Sequence, residues 1–113
     1  MQKPPRDRFR KAADIFGKCE QQLGPAGIHT LIEHLREHPC QTPSGGIYDT
    51  LPSELMQNFS ATGDANEAYA CLESYSESLE ELSWDIPNTH MSIIFSEYAD
   101  LMGRTVDYLR KPR

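Results

Sequence analysis

Apolar residues recur at steps of three and four along most of this chain, and proline and glycine cut that rhythm into five segments. In the first, Phe9, Ala12, Ala13, Phe16, Cys19 and Leu23 share one face, and Gly24-Pro25 ends the run, which predicts a helix over about 7–23. Ile28, Leu31, Ile32 and Leu35 predict a second helix, which Pro39 keeps from passing about residue 38. Residues 39–50, with Pro43-Ser44-Gly45-Gly46 among them, read as a surface loop. A short third helix follows. Thr50 or Leu51 caps it, Pro52 lies in its first turn, and Leu55, Met56 and Phe59 face inward.

Ser60-Ala61-Thr62-Gly63 breaks the chain again, and Asp64 with Glu67 three residues later resembles a capping box opening a long fourth helix. Ala68, Cys71, Leu72, Tyr75, Leu79 and Leu82 fall in a stripe about 100° wide on it. Asp85-Ile86-Pro87-Asn88 ends this helix. Thr89 then caps a fifth, whose inner face reads Met91, Ile94, Phe95, Tyr98, Leu101, Met102, Thr105 and Leu109. Two helices of about twenty residues joined so briefly should pack as an antiparallel αα-hairpin. The expectation is an all-α chain. Residues 1–113 form one domain, a compact four-to-five-helix bundle in which helices 1 and 2 close the side opposite the C-terminal hairpin. No alternating stretch calls for a sheet, and no internal repeat is visible.

Composition narrows the function classes. No apolar run approaches the roughly 18 residues that cross a bilayer, and MQKPPRDRFR carries charge with no apolar stretch behind it. A soluble protein without membrane attachment or secretory signal is expected. Cys19, Cys40 and Cys71 are an odd number without paired spacing, which suits free thiols in the cytoplasm. Phosphate-binding glycine loops, a nucleophile elbow and the Cys-x-x-Cys pair are missing, so neither an enzyme nor a cofactor is expected.

Charge placement changes the picture most. The net charge of −6 conceals an acidic middle: from Glu37 to Ala99 there are eleven Asp and Glu and no Lys or Arg. On the fourth helix Glu73 and Glu77, and Glu77 and Glu81, stand four apart, and Glu77 and Glu80 three apart. Each like-charge pair costs a few tenths of a kcal/mol in an isolated helix. A solvated face accounts for acids alone. Tyr69 and Trp84 add direction, because a helical wheel puts them on the same outward side; Trp84 could instead fold over the helix end onto the core. Tyr69, Glu73, Glu77, Glu80, Glu81 and Trp84 therefore make the candidate surface for a protein partner with a basic face. A nucleic-acid-binding protein is one such partner, since carboxylates would stand where phosphates lie. A homodimer is a further possibility. Proteins of this size and charge occur among phage or plasmid accessory inhibitors, immunity proteins and secretion chaperones, a comparison of character only.

Two other readings arise from the residues. Residues 1–6 read as a flexible basic arm, and Lys3, Arg6, Arg8, Arg10 and Lys11 would contact phosphate in a nucleic-acid-binding regulator. Helix 1, the turn Gly24-Pro25-Ala26-Gly27 and helix 2 would then form a helix-turn-helix. Its outward face, His29, Thr30, Glu33, Arg36 and Glu37, suits phosphates poorly. The other reading starts from His34-Leu35-Arg36-Glu37-His38, which fits H-x-x-E-H; the histidine pair one turn apart, with Cys40, is the alternative metal set. Pro39 ends the helix at once, and a short bundle offers a peptidase little cleft. Histidines near a helix C-terminus, where positive charge is favourable, need no metal to explain them.

Overall fold

The computed structural model describes residues 6–111. Of the expected basic arm of residues 1–6, residues 1–5, Lys3 among them, and the Arg6 side chain lie outside what is described. Four helices and one small ribbon make up the rest: α1 (Arg6–Glu37), β1 (Cys40–Gln41), β2 (Ile47–Tyr48), α2 (Pro52–Thr62), α3 (Ala65–Asp85) and α4 (Thr89–Arg110).

The two helices expected at the start meet end to end within Arg6–Glu37, broken only at Gly24, whose backbone is not helical. Gly24 has φ 70° and ψ 178°, a left-handed conformation that a side chain would oppose, and Pro25 restarts the helix directly. Proline suits that position because the first turn leaves its amides unbonded anyway. A Cβ on Gly27 would stand 2.7 Å from that of Leu23, so this glycine lets the two segments meet closely. The expected four-residue turn is thus one residue, shorter than the three or four that usually join a helix-turn-helix.

The expected loop is also more ordered than its glycines suggest. Cys40 pairs with Tyr48 and Gln41 with Ile47 in an antiparallel ribbon, which two-residue strands are too short to announce by alternation. Thr42 organises its tip: its amide donates to the Gly46 carbonyl at 2.9 Å, and its hydroxyl accepts from the Gly46 amide at 3.0 Å. Ser44 donates to Glu67 at 2.5 Å, so the expected capping box is half made. Asp64 does accept from the Glu67 amide, while the Glu67 carboxylate turns to the ribbon. Asn88, not Thr89, caps α4 by accepting from the Met91 amide.

The core is continuous across the helices. Phe9, Phe16, Leu31 and Leu35 of α1 meet Leu55 and Met56 of α2, Leu72, Tyr75 and Leu79 of α3, and Phe95, Tyr98 and Met102 of α4. Cys19 is only half-buried and Glu20, one residue on, is buried with 7% exposure. Contacts between α3 and α4 pair Ser83 with Ser92, Ser76 with Ala99, and Tyr69 with Leu109, so the two helices run in opposite directions. No helix among the described residues is long and apolar enough to cross a membrane.

Candidate functional site

The register of α3 against α4 decides which surface residues meet. Ser76 donates to the Ala99 carbonyl at 2.7 Å, close to Gly103, and short side chains here leave an open trough above the helix seam. Two contiguous depressions of about 700 Å³ and about 290 Å³ share Ser76, Gly103 and Asp107. Glu73, Glu77 and Glu80 form the α3 wall, and Glu97, Asp100 and Asp107 the α4 wall.

Two cations lie in this groove, and both are engaged. Arg104 pairs with Asp100 at 3.1 Å and Arg110 with Glu73 at 2.9 Å. Glu77, Glu80, Glu97 and Asp107 have no ion pair among the described residues. Charges of one sign gathered in a cleft reinforce each other's potential and draw opposite charge toward it. What the groove offers chemically is negative potential and hydrogen-bond acceptors, since the Ser76 hydroxyl is already committed to a carbonyl.

Three of the expected residues, Glu73, Glu77 and Glu80, thus share one wall. Glu81 stands apart, on the side of α3 that faces His34. Tyr69 is occupied within the fold: its hydroxyl donates to the Leu109 carbonyl at 3.1 Å and the Arg110 guanidinium lies 4.9 Å from its ring centre. Trp84 does not fold onto the core; it is 74% exposed. The α4 wall was missed although its signal is in the chain. Glu97, Asp100, Arg104 and Asp107 recur at helical steps of three and four, but they become a wall only once Ser76 is known to lie against Ala99.

The histidine pair, and the described basic residues Arg8, Arg10 and Lys11, lie away from this groove. His34 and His38 stand with ring centres 5.0 Å apart, and Nε2 of His34 is 2.6 Å from the Ser78 hydroxyl. Burial, then the neighbouring His38, lowers the His34 pKa. Cys40 lies beside Cys71 rather than the histidines, and the neighbouring thiol together with burial pushes the Cys71 thiol up. Among the described residues no three His, Cys, Asp or Glu side chains are grouped to hold a metal ion. Arg8 is spent on the end of α4, donating to the carbonyls of Tyr108 at 3.0 Å and Lys111 at 2.7 Å. Arg8 and Lys11 also approach the Tyr108 ring, at 5.3 and 6.0 Å. The carbonyl end of α4 thereby supplies the compensating charge that basic residues at the start of α1 require. Arg10 remains exposed.

No protein-family model matches this chain, and no characterised protein or solved structure shows significant similarity to it.

Proposed function

We propose that this chain is a small non-enzymatic binding or inhibitor protein that occupies a basic surface of a protein partner with the groove between α3 and α4. The observation that supports this most is convergence: carboxylates from two helices line one groove, and four of them have no ion pair among the described residues. Repulsion among them is relieved when a partner brings cations, and the same field speeds encounter. A partner that binds nucleic acid would be blocked, because carboxylates would fill its phosphate subsites. The reading includes a cytoplasmic location and a single bundle domain with an antiparallel C-terminal hairpin. The rival nucleic-acid-binding reading is weakened by Arg8 and Lys11, which are drawn onto the α4 terminus.

Affinity capture from the cell of origin tests this, with native protein beside a Glu77→Lys, Glu80→Lys, Asp107→Lys variant. Glu73 is left alone because it already pairs with Arg110. A basic protein should be retained by the native chain, released by salt and lost with the variant. Equal retention by both would remove the groove from the account.

A further inference from the structure

The groove does not end in charge. Trp84, 74% exposed, continues the α3 wall four residues beyond Glu80, and Ile93, 52% exposed, begins the α4 wall four residues before Glu97. Ser92 donates to the Ser83 carbonyl at 2.6 Å, which puts their successors Ile93 and Trp84 at the same level of the hairpin. One exposed apolar side chain is ordinary on a protein surface. Two large ones at one level, one helical turn past Glu80 and Glu97 and outside the core cluster, make a patch that water covers poorly.

We infer that the groove receives a basic helical segment of a protein partner, and that a large apolar residue near one end of this segment seats against Trp84 and Ile93. This deepens the function proposed above and rests on it. Charge complementarity selects the basic segment. The length suits a helix of three turns: the eleven steps from Glu73 to Trp84 span roughly 16 Å. The groove floor admits such an element closely. A Cβ on Gly103 would meet only the Ser76 hydroxyl, at 3.8 Å, so packing within the hairpin does not require glycine there although glycine disfavours a helix interior. Nucleic acid fits neither the sign of the walls nor the apolar tip. An aromatic anchor beside a charged rim is the arrangement in which a few residues supply most of an interface's affinity.

Two synthetic helical peptides of about three turns, both with Lys and Arg along one face, provide the probe. One ends in Leu and the other in Gln. Trp84 is the only tryptophan, so its emission reports its burial directly. The Leu-ended peptide should bind native protein about tenfold more tightly and shift the emission to the blue. In Trp84→Ala that preference should vanish, with circular dichroism unchanged because the side chain is exposed. The Glu77→Lys, Glu80→Lys, Asp107→Lys variant should lose both peptides. Equal affinity of the two peptides for native protein overturns the anchor and leaves the basic-surface reading standing. Failure of both peptides to bind, or binding indifferent to charge reversal, overturns both. Sedimentation showing a dimer of native protein that Trp84→Ala dissolves would put a second copy on the tip and overturn the partner segment.

Discussion

Tyr98 donates its hydroxyl to Glu20 at 2.6 Å inside the core, and the same carboxylate receives the amide and hydroxyl of Ser53 at 3.0 and 2.5 Å. Leu51 precedes α2 without a side-chain cap. Glu20 therefore caps α2 from α1 and fixes both to α4.

Glu20→Ala strands these donors in a buried site and should lower stability by on the order of 3 kcal/mol in urea unfolding. Tyr98→Phe removes one donor and should cost about 1 kcal/mol. A loss below about 0.5 kcal/mol for Glu20→Ala, the range of ordinary surface changes, would show that the knot is incidental.

Alkaline pH provides a separate check. Burial, then the Glu20 charge, raises the Tyr98 pKa above its ordinary value of 10.0. The folded state keeps this proton where the unfolded state releases it, so the stabilisation is complete below pH 10 and declines above it. Tyr98→Phe should lose less stability than native protein on going above pH 10, measured by denaturation at each pH. Parallel profiles would contradict the assigned cause.

These residues show why the helices are legible in the chain while their joints are not. Phe16, Glu20 and Leu23 occupy one helical stripe, yet a glutamate there reads as solvated, because its partners lie 33 and 78 residues away. Steps of three and four revealed α2, α3 and α4 because local periodicity carries that information. Gly24-Pro25 marked the break in α1 but not its sharpness, since Pro25 both stops one helix and starts the next. The acidic α3 wall was visible as spacing within one helix. Its counterpart needed the register between two helices, which no local pattern contains.

Glycines at two sites should respond in opposite directions. Gly103→Ala gains helix propensity and meets only an ordinary contact, so it should stabilise by about 0.5–1 kcal/mol. Gly46→Ala drives a Cβ to 2.7 Å from the Tyr48 ring and should destabilise the ribbon. Thermal unfolding of both variants checks the pair; the same sign for both would contradict the packing described.

His34 supplies a test at mild acidity. Its environment contains His38, Glu37, Glu81 and the Ser78 hydroxyl, and burial with His38 outweighs the acids. The unfolded state takes up the proton first, so the contribution to stability is present above pH 6.5 and is lost as pH falls through the folded pKa. NMR titration should give a His34 midpoint below 6.5, rising when His38→Gln removes the neighbouring charge. A native midpoint above 6.5 would reverse the assignment. Chelator should leave the melting temperature of native protein unchanged, and one tightly held zinc per chain would revive the metal reading.

The most direct test of the groove is the association rate with the captured basic partner, measured from about 0.05 to 0.5 M salt. Native protein should lose about tenfold or more in rate across that range, because screening removes the attraction of Glu77, Glu80, Glu97 and Asp107. The Glu77→Lys, Glu80→Lys, Asp107→Lys variant should start slow and vary little. Equal, salt-independent rates for the two proteins would contradict the account.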